Sequence, residues 1–170
     1  MIFWIASYPK SGNTWLRAFI STYYYSEDGI FDEQILKKID QFPTMKYLID
    51  FKYDKKIVGA TCKYWIRAQE KINFEKKLKF LKTHNAFGKI NSYDFTNSEN
   101  SVGCLYIVRD PRNVFTSLKN HYELDDDKAI KWMTNEKQFI YDVEKVDEVG
   151  FSDFQFISSW NLNYKSWKVQ

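Results

Sequence analysis

Ile2-Phe3-Trp4-Ile5-Ala6-Ser7, then Tyr8-Pro9-Lys10-Ser11-Gly12-Asn13 and Thr14-Trp15, is the stretch on which the fold turns. The apolar run Ile2 to Ala6 has the length of a buried strand, central and parallel in its sheet. Tyr8 to Asn13 is rich in turn formers. From Thr14 to Tyr25 apolar residues recur at helical spacing through Trp15, Ala18, Phe19 and Thr22-Tyr23, and Asp28-Gly29 stops the helix. A loop between a buried strand and a helix N-terminus presents backbone N–H groups and a positive dipole end to an anion. Gly12 permits close backbone approach, Lys10 adds a mobile charge, and Ser11 and Thr14 add hydroxyl donors. Trp15 could stack on a base. The order is not that of the common nucleotide P-loop, because Lys10 precedes Ser11-Gly12 and only one Gly is present. A Mg-nucleotide site is therefore poorly supported. Read alone, the loop is equally well explained as an ordinary turn.

Outward from this unit, Phe31 to Lys56 reads as a covering insertion with a helix near Asp32 to Ile39. Tyr64 to Lys77 carries Trp65, Ala68 and Ile72 at helical spacing. Leu78 to Thr83 alternates weakly as a second strand, and the polar stretch Asn91 to Ser101 reads as an exposed loop. Val102 to Val108 is the strongest strand. It runs into Asp110-Pro111, an N-cap and a first helical residue, and Val114, Phe115, Leu118 and Tyr122 mark the helix that follows. Asp125-Asp126-Asp127 reads as a second N-cap cluster. Helices are predicted near Lys128 to Thr134, Glu136 to Val146 and Ser152 to Trp167. Strands alternating with helices predict an α/β fold, a parallel sheet flanked by helices, in a single domain over 1–170.

Composition narrows the function. With 170 residues and 44% hydrophobic content the chain can bury a sizeable core. Lys+Arg 25 against Asp+Glu 22 leaves a formal +3, too small for a histone-type polyanion binder, so no nucleic-acid partner is expected. A local basic pocket for one phosphorylated ligand remains compatible with it. Cys62 and Cys104 stand far apart with no CxxC pairing, which predicts free thiols in a reducing compartment. The N-terminus lacks a basic n-region and a long apolar h-region, and no stretch approaches the roughly 20 apolar residues of a membrane span. A cytoplasmic protein without a transmembrane segment is the expectation. The 19% aromatic content accompanies plentiful Lys, Asn and Ile and carries little functional weight.

Two further segments hold chemistry. Arg109 stands where a parallel strand emerges, the edge at which ligands collect in open α/β sheets. Ser117 lies seven residues beyond Asp110, close to two helical turns, and so faces back toward the start of its helix. Arg109 and Ser117 can converge on one phosphate. Each also has an ordinary reading, as an Arg capping the sheet edge and a Ser on a helix surface. His84, in Leu81-Lys82-Thr83-His84-Asn85, follows a predicted strand and belongs to the same edge, whereas His121 reads as a helix-surface residue.

Together these segments resemble the PAPS-dependent sulfotransferases, which move a sulfuryl group from 3′-phosphoadenosine 5′-phosphosulfate (PAPS) to an acceptor. YPKSGNTW resembles the family's 5′-phosphosulfate loop, usually YPKSGTTW. LYIVRDPRNVFTSL resembles its 3′-phosphate motif, in which a Ser follows an Arg by eight residues, as Ser117 follows Arg109. LKTH resembles the segment bearing the catalytic His, and Ser159-Trp160 to Ser166-Trp167 is similar to a later segment with two Trp seven apart. The resemblance implies a three-layer, P-loop-like sulfotransferase fold. It implies that Lys10 stabilises the leaving phosphate, that Ser11, Gly12, Asn13 and Thr14 line the same loop, and that Trp15 packs on adenine. Arg109 and Ser117 would hold the 3′-phosphate, and His84 would be the general base with Lys82 beside it. PAPS is then the sulfuryl donor, a small-molecule, glycan or lipid hydroxyl (or an amine) the acceptor, and no metal is expected. Asn13 replaces the usual Thr, and Asn163 stands where the later segment often has His. Family members continue into a late Arg-Lys-Gly loop with no counterpart here, so the chain is expected to be the N-terminal part of the domain, its C-terminal part missing. A non-catalytic or incomplete PAP(S)-binding module is the alternative, and a P-loop kinase a more distant one. Phe31, Phe42, Tyr47, Phe51 and Tyr53 are the candidate acceptor wall and suit a sugar, a lipid or a phenol equally. Nothing in the sequence signals an oligomeric state.

Overall fold

The computed structural model of the chain describes residues 1–148 and 151–168. The expected domain bounds of 1–170 include positions 149–150 and 169–170, which lie outside the described residues. The strands are β1 (Ile2–Ser7), β2 (Asp40–Gln41), β3 (Lys79–Thr83), β4 (Lys89–Ile90), β5 (Tyr93–Asp94), β6 (Ser101–Ile107), β7 (Phe139–Ile140) and β8 (Gln155–Phe156). The helices are α1 (Asn13–Tyr25), α2 (Glu33–Leu36), α3 (Met45–Leu48), α4 (Trp65–Asn73), α5 (Pro111–Tyr122), α6 (Asp126–Thr134) and α7 (Trp160–Lys168).

Four parallel strands in the order β2-β3-β1-β6 make the central sheet, and helices flank both faces. β1 is apolar at nearly every position because it is covered twice. Ile2, Trp4 and Ala6 pack with Trp65 and Ala68 of α4 and Trp167 of α7, while Ile5 packs with Leu16 and Ile20 of α1 on the other face. Full burial of a side chain the size of Ile5 is worth about 1.5–3 kcal/mol. A further cluster joins Tyr8 to Val114 and Leu118 of α5, Trp132 of α6 and Ile157.

The register decides the site. Ala6 lies opposite Thr83 of β3, and Ser7 opposite Ile107 of β6. The loop after β1, His84 after β3 and Arg109 after β6 therefore leave the sheet at one edge. β1 has β3 on one side and β6 on the other, so the chain reverses its winding direction there, which opens a crevice at the carboxyl edge.

The helix starts follow their capping chemistry. Asp110 accepts from the Arg112 N–H with Pro111 in the first turn, and Asp125 accepts from the Lys128 N–H. Four expectations are corrected. The predicted helix from Glu136 to Val146 is absent: Phe139 and Ile140 pair with Phe156 and Gln155 in a hairpin. Asn135 ends α6 by accepting from the Lys137 N–H, a local turn that competes with the helix. The helix predicted from Ser152 begins only at Trp160, because Ser158 adopts φ +55 and the Ser159 hydroxyl accepts from the Leu162 N–H as a cap. The polar stretch Asn91 to Ser101 is not wholly exposed, since Phe95 sits in the core and Thr96 donates to Gln69 Oε1. The Phe31 to Lys56 insertion adds a strand the sequence did not signal, β2. It also buries Phe42 completely in the core, where it cannot wall an acceptor pocket.

Candidate active site

The loop from Tyr8 to Gly12 is built from backbone strain and unpaired donors. Lys10 adopts φ +66 and Gly12 φ +99, both left-handed. Gly12 is the N-cap of α1 and has no side chain to occupy the first turn. Among the described residues the N–H groups of Gly12, Asn13 and Thr14 have no partner, and the buried Ser11 hydroxyl has none either. Free N–H groups at the positive end of a thirteen-residue helix, with an orphaned hydroxyl beneath and Lys10 beside them, are the donor set a phosphate or sulfate requires. Asn13 spends its amide donor elsewhere: Nδ2 donates to the Ile5 carbonyl at 3.0 Å and to Ser7 Oγ at 3.1 Å, tying α1 to β1. Its offer to an anion is thus its backbone N–H. Thr14 and Trp15 are exposed, and Trp15, at 76%, stands over an apolar groove of 810 Å³ along α1 with Phe19, Tyr23 and Phe31.

Just beyond the neighbouring strand β3, His84 Nδ1 lies 2.8 Å from the Ser7 carbonyl oxygen and 3.2 Å from Ser7 Oγ. A carbonyl oxygen only accepts, so the proton sits on Nδ1 and Nε2 keeps its lone pair. Burial holds the imidazole well below its ordinary pKa, and the charges of Lys82, Arg17 and Lys10 lower it further. The ring is therefore neutral at pH 7 and can take a proton through Nε2. Lys82 is lowered to about 7, again by burial first and then by Arg17 and Lys10, and donates to Gln41 Oε1 at the end of β2.

Arg109 is exposed and donates from Nη1 to the Lys10 carbonyl at 2.9 Å, so it braces the anion loop as well as facing solvent. Ser117 is half-buried on α5. His121 lies on the surface in the last turn of α5, edge-on to Tyr122, as a helix-surface residue should.

An anion loop, a neutral imidazole and a lysine of lowered pKa thus meet at one sheet edge. Comparison with known families matches residues 2–167 to the family described as Sulfotransferase domain. The chain belongs to the sulfotransferase domain family. No curated protein matches its sequence. No helix among the described residues of this sulfotransferase domain is long and apolar enough to cross a membrane.

Sequence reasoning assigned no role to three side chains of the candidate site. Gln41 holds Lys82, while Gln155 and Asn163 hold the His84 backbone. Gln41 and Gln155 sit in no motif, Asn163 stands in the later two-Trp segment with no role read from it, and each reaches the site only through tertiary pairing. Gly12 yields a direct test of the loop. A Cβ there meets nothing within 4 Å, so the cost of Gly12→Ala is conformational alone. Unfolding in urea should show a loss of about 1–2 kcal/mol, the penalty of a left-handed non-glycine residue.

Proposed function

We propose that this domain transfers a sulfuryl group from PAPS to a hydroxyl acceptor, with an amine as the variant. The observation that carries the proposal is the His84 ring, neutral and fixed by its Nδ1 bond to Ser7, at the end of the strand beside the loop with its free N–H groups. PAPS supplies the activated sulfur and a bisphosphate leaving group. The acceptor oxygen forms the new bond to sulfur, its proton passes to His84 Nε2, and the sulfur–oxygen bond to the 5′-phosphate breaks with its electron pair staying on phosphate. Lys10 and the N–H groups of Gly12, Asn13 and Thr14 meet the charge that grows there. Such transfers resemble phosphoryl transfer, in which positioning and charge stabilisation dominate. Lys82 stands beside the base as a second cation. Arg109 and Ser117 are assigned to the 3′-phosphate and Trp15 to adenine. A reducing, cytoplasmic setting suits the free Cys62 and Cys104, whose thiols burial pushes up to about 12 and so keeps protonated.

The open side of the site favours a second reading. Trp15 is 76% exposed and the Arg109 guanidinium faces solvent, as in a nucleotide-binding module that lacks part of its enclosure. Calorimetric titration with PAP, together with PAPS turnover over a panel of phenols, sugars and lipid alcohols, separates the two. The enzyme reading expects both binding and turnover. Arg109→Ala should weaken PAP about tenfold or more, the loss of a charge-assisted hydrogen bond of about 1.5–3 kcal/mol. Binding without turnover over the whole panel would leave the module, and absence of binding would remove both.

A further inference from the structure

His84 is the first residue beyond the pairing of β3, so the sheet ladder satisfies neither of its backbone polar groups. Both are met by buried amide side chains from the far end of the chain. The His84 N–H donates to Gln155 Oε1 at 2.9 Å, and the His84 carbonyl accepts from Asn163 Nδ2 at 3.0 Å. Gln155 is 2% exposed and Asn163 0%.

Asn163 has no freedom left. Its second amide hydrogen goes to the Ile157 carbonyl at 2.7 Å, and its Oδ1 accepts from the Tyr106 hydroxyl at 2.5 Å. A flipped amide would set Oδ1 against two carbonyls, so the network fixes which end faces His84. Burial raises the Tyr106 hydroxyl above its ordinary pKa, so it remains a donor at working pH. The latch continues along the loop: the Ala86 N–H donates to the Phe156 carbonyl at 2.8 Å and the Phe87 N–H to Ser166 Oγ at 2.9 Å.

We infer that Asn163, seconded by Gln155, is a positioning residue for sulfuryl transfer. It holds the His84 backbone so that the imidazole keeps Nδ1–H on Ser7 and presents Nε2 to the acceptor. The inference rests on the reading of His84 as the base. Asn163 is fully buried and its side chain bonds to Tyr106, His84 and Ile157 and not to the loop, so its signature is in the ring of His84 and not in nucleotide affinity.

The test is Asn163→Leu in the full chain. Nitrogen-15 NMR reads the His84 tautomer, calorimetry reads PAP affinity, and circular dichroism with thermal melting confirms the fold. A folded variant should bind PAP as before, lose the fixed Nδ1–H tautomer, and turn over about 10²-fold more slowly, the cost of a misplacement near 1 Å. The acid limb of its pH–rate profile should also move up toward the ordinary imidazole value of 6.5. A folded variant that keeps both the wild-type tautomer and the wild-type turnover would overturn the inference. Should Asn163→Leu not fold, Gln155→Leu removes only the acceptor of the His84 N–H and is judged on the same readouts. If His84→Ala proves fully active while Asn163→Leu still releases the ring, the base assignment fails and takes the role in transfer with it, while the hold of Asn163 on the ring stands, so the two failures are told apart.

Discussion

His84→Ala should lower PAPS turnover by about 10²- to 10⁴-fold, the range general-base catalysis supplies, while PAP binds as before. The split follows from geometry, since the ring bonds to Ser7 on one side and offers only Nε2 to the acceptor. The pH profile gives a second check. The imidazole must be unprotonated to act, and its pKa lies well below 6.5. The kcat/KM value should therefore rise with pH through an acid limb below 6.5 and flatten above it. In its proposed role as a second cation Lys82 contributes only while protonated, so its value of about 7 in the free domain should set an alkaline limb near that pH. A bound anion favours the charged lysine, so in the kcat profile this limb should move upward. Lys82→Met should erase the alkaline limb and, because the Lys82 charge also helps depress His84, move the acid limb upward. Wild-type turnover in His84→Ala would remove His84 from the chemistry.

The same shifts couple folding to pH. Folded His84 has a depressed pKa, so in the window between its folded value and 6.5 the unfolded chain binds more protons, and stability falls as pH drops through it. Folded Lys82 is depressed from 10.5 to about 7, so its unfavourable burial is felt most below 7 and relieved as pH climbs toward 10.5.

What was legible in the sequence depended on range. The unit from Ile2 to Tyr25 could be read because an apolar run, a turn-rich loop and a 3.6-residue period are local signals. The Asp110-Pro111 and Asp125 caps were legible for the same reason. The meeting of His84 with Ser7 was not, since it depends on the pairing of β1 with β3 across a separation of 77 residues. The sequence could place each residue at a sheet edge but not set the register that faces one with the other. Gln155 stayed hidden, and Asn163 was noted only as a departure from the later segment with no role attached, because residues 152–167 read as a continuous helix, and a helical surface amide has no chemistry to announce. The left-handed turn at Ser158 breaks that helix and carries Gln155 under His84. Phe42 misled in the opposite direction: an aromatic in a polar insertion looks like a pocket wall, and its burial depends on Trp4 and Phe95, both remote in sequence.

Lys10→Ala should cut kcat by about 10²- to 10³-fold, the loss seen when one preorganised donor to a developing anion is removed. PAP affinity should fall far less, because the free N–H groups at the start of α1 still hold the ground-state anion. Only the increment of charge on the leaving phosphate depends on the ammonium, and interactions that strengthen in the transition state are read in kcat. The substitution is clean at the backbone. Lys10 already occupies φ +66, a cost alanine shares, and its carbonyl continues to accept from Arg109. It also carries an independent signature. The Lys10 charge helps depress both His84 and Lys82, so removing it should raise both pKa values and move both limbs of the pH–rate profile upward. An upward shift of both limbs with a large fall in kcat places the Lys10 ammonium against the reacting phosphosulfate and within electrostatic reach of the base. Equal losses in PAP affinity and turnover would instead make Lys10 a ground-state anchor, and stabilisation of the leaving group would then rest on the loop N–H groups alone.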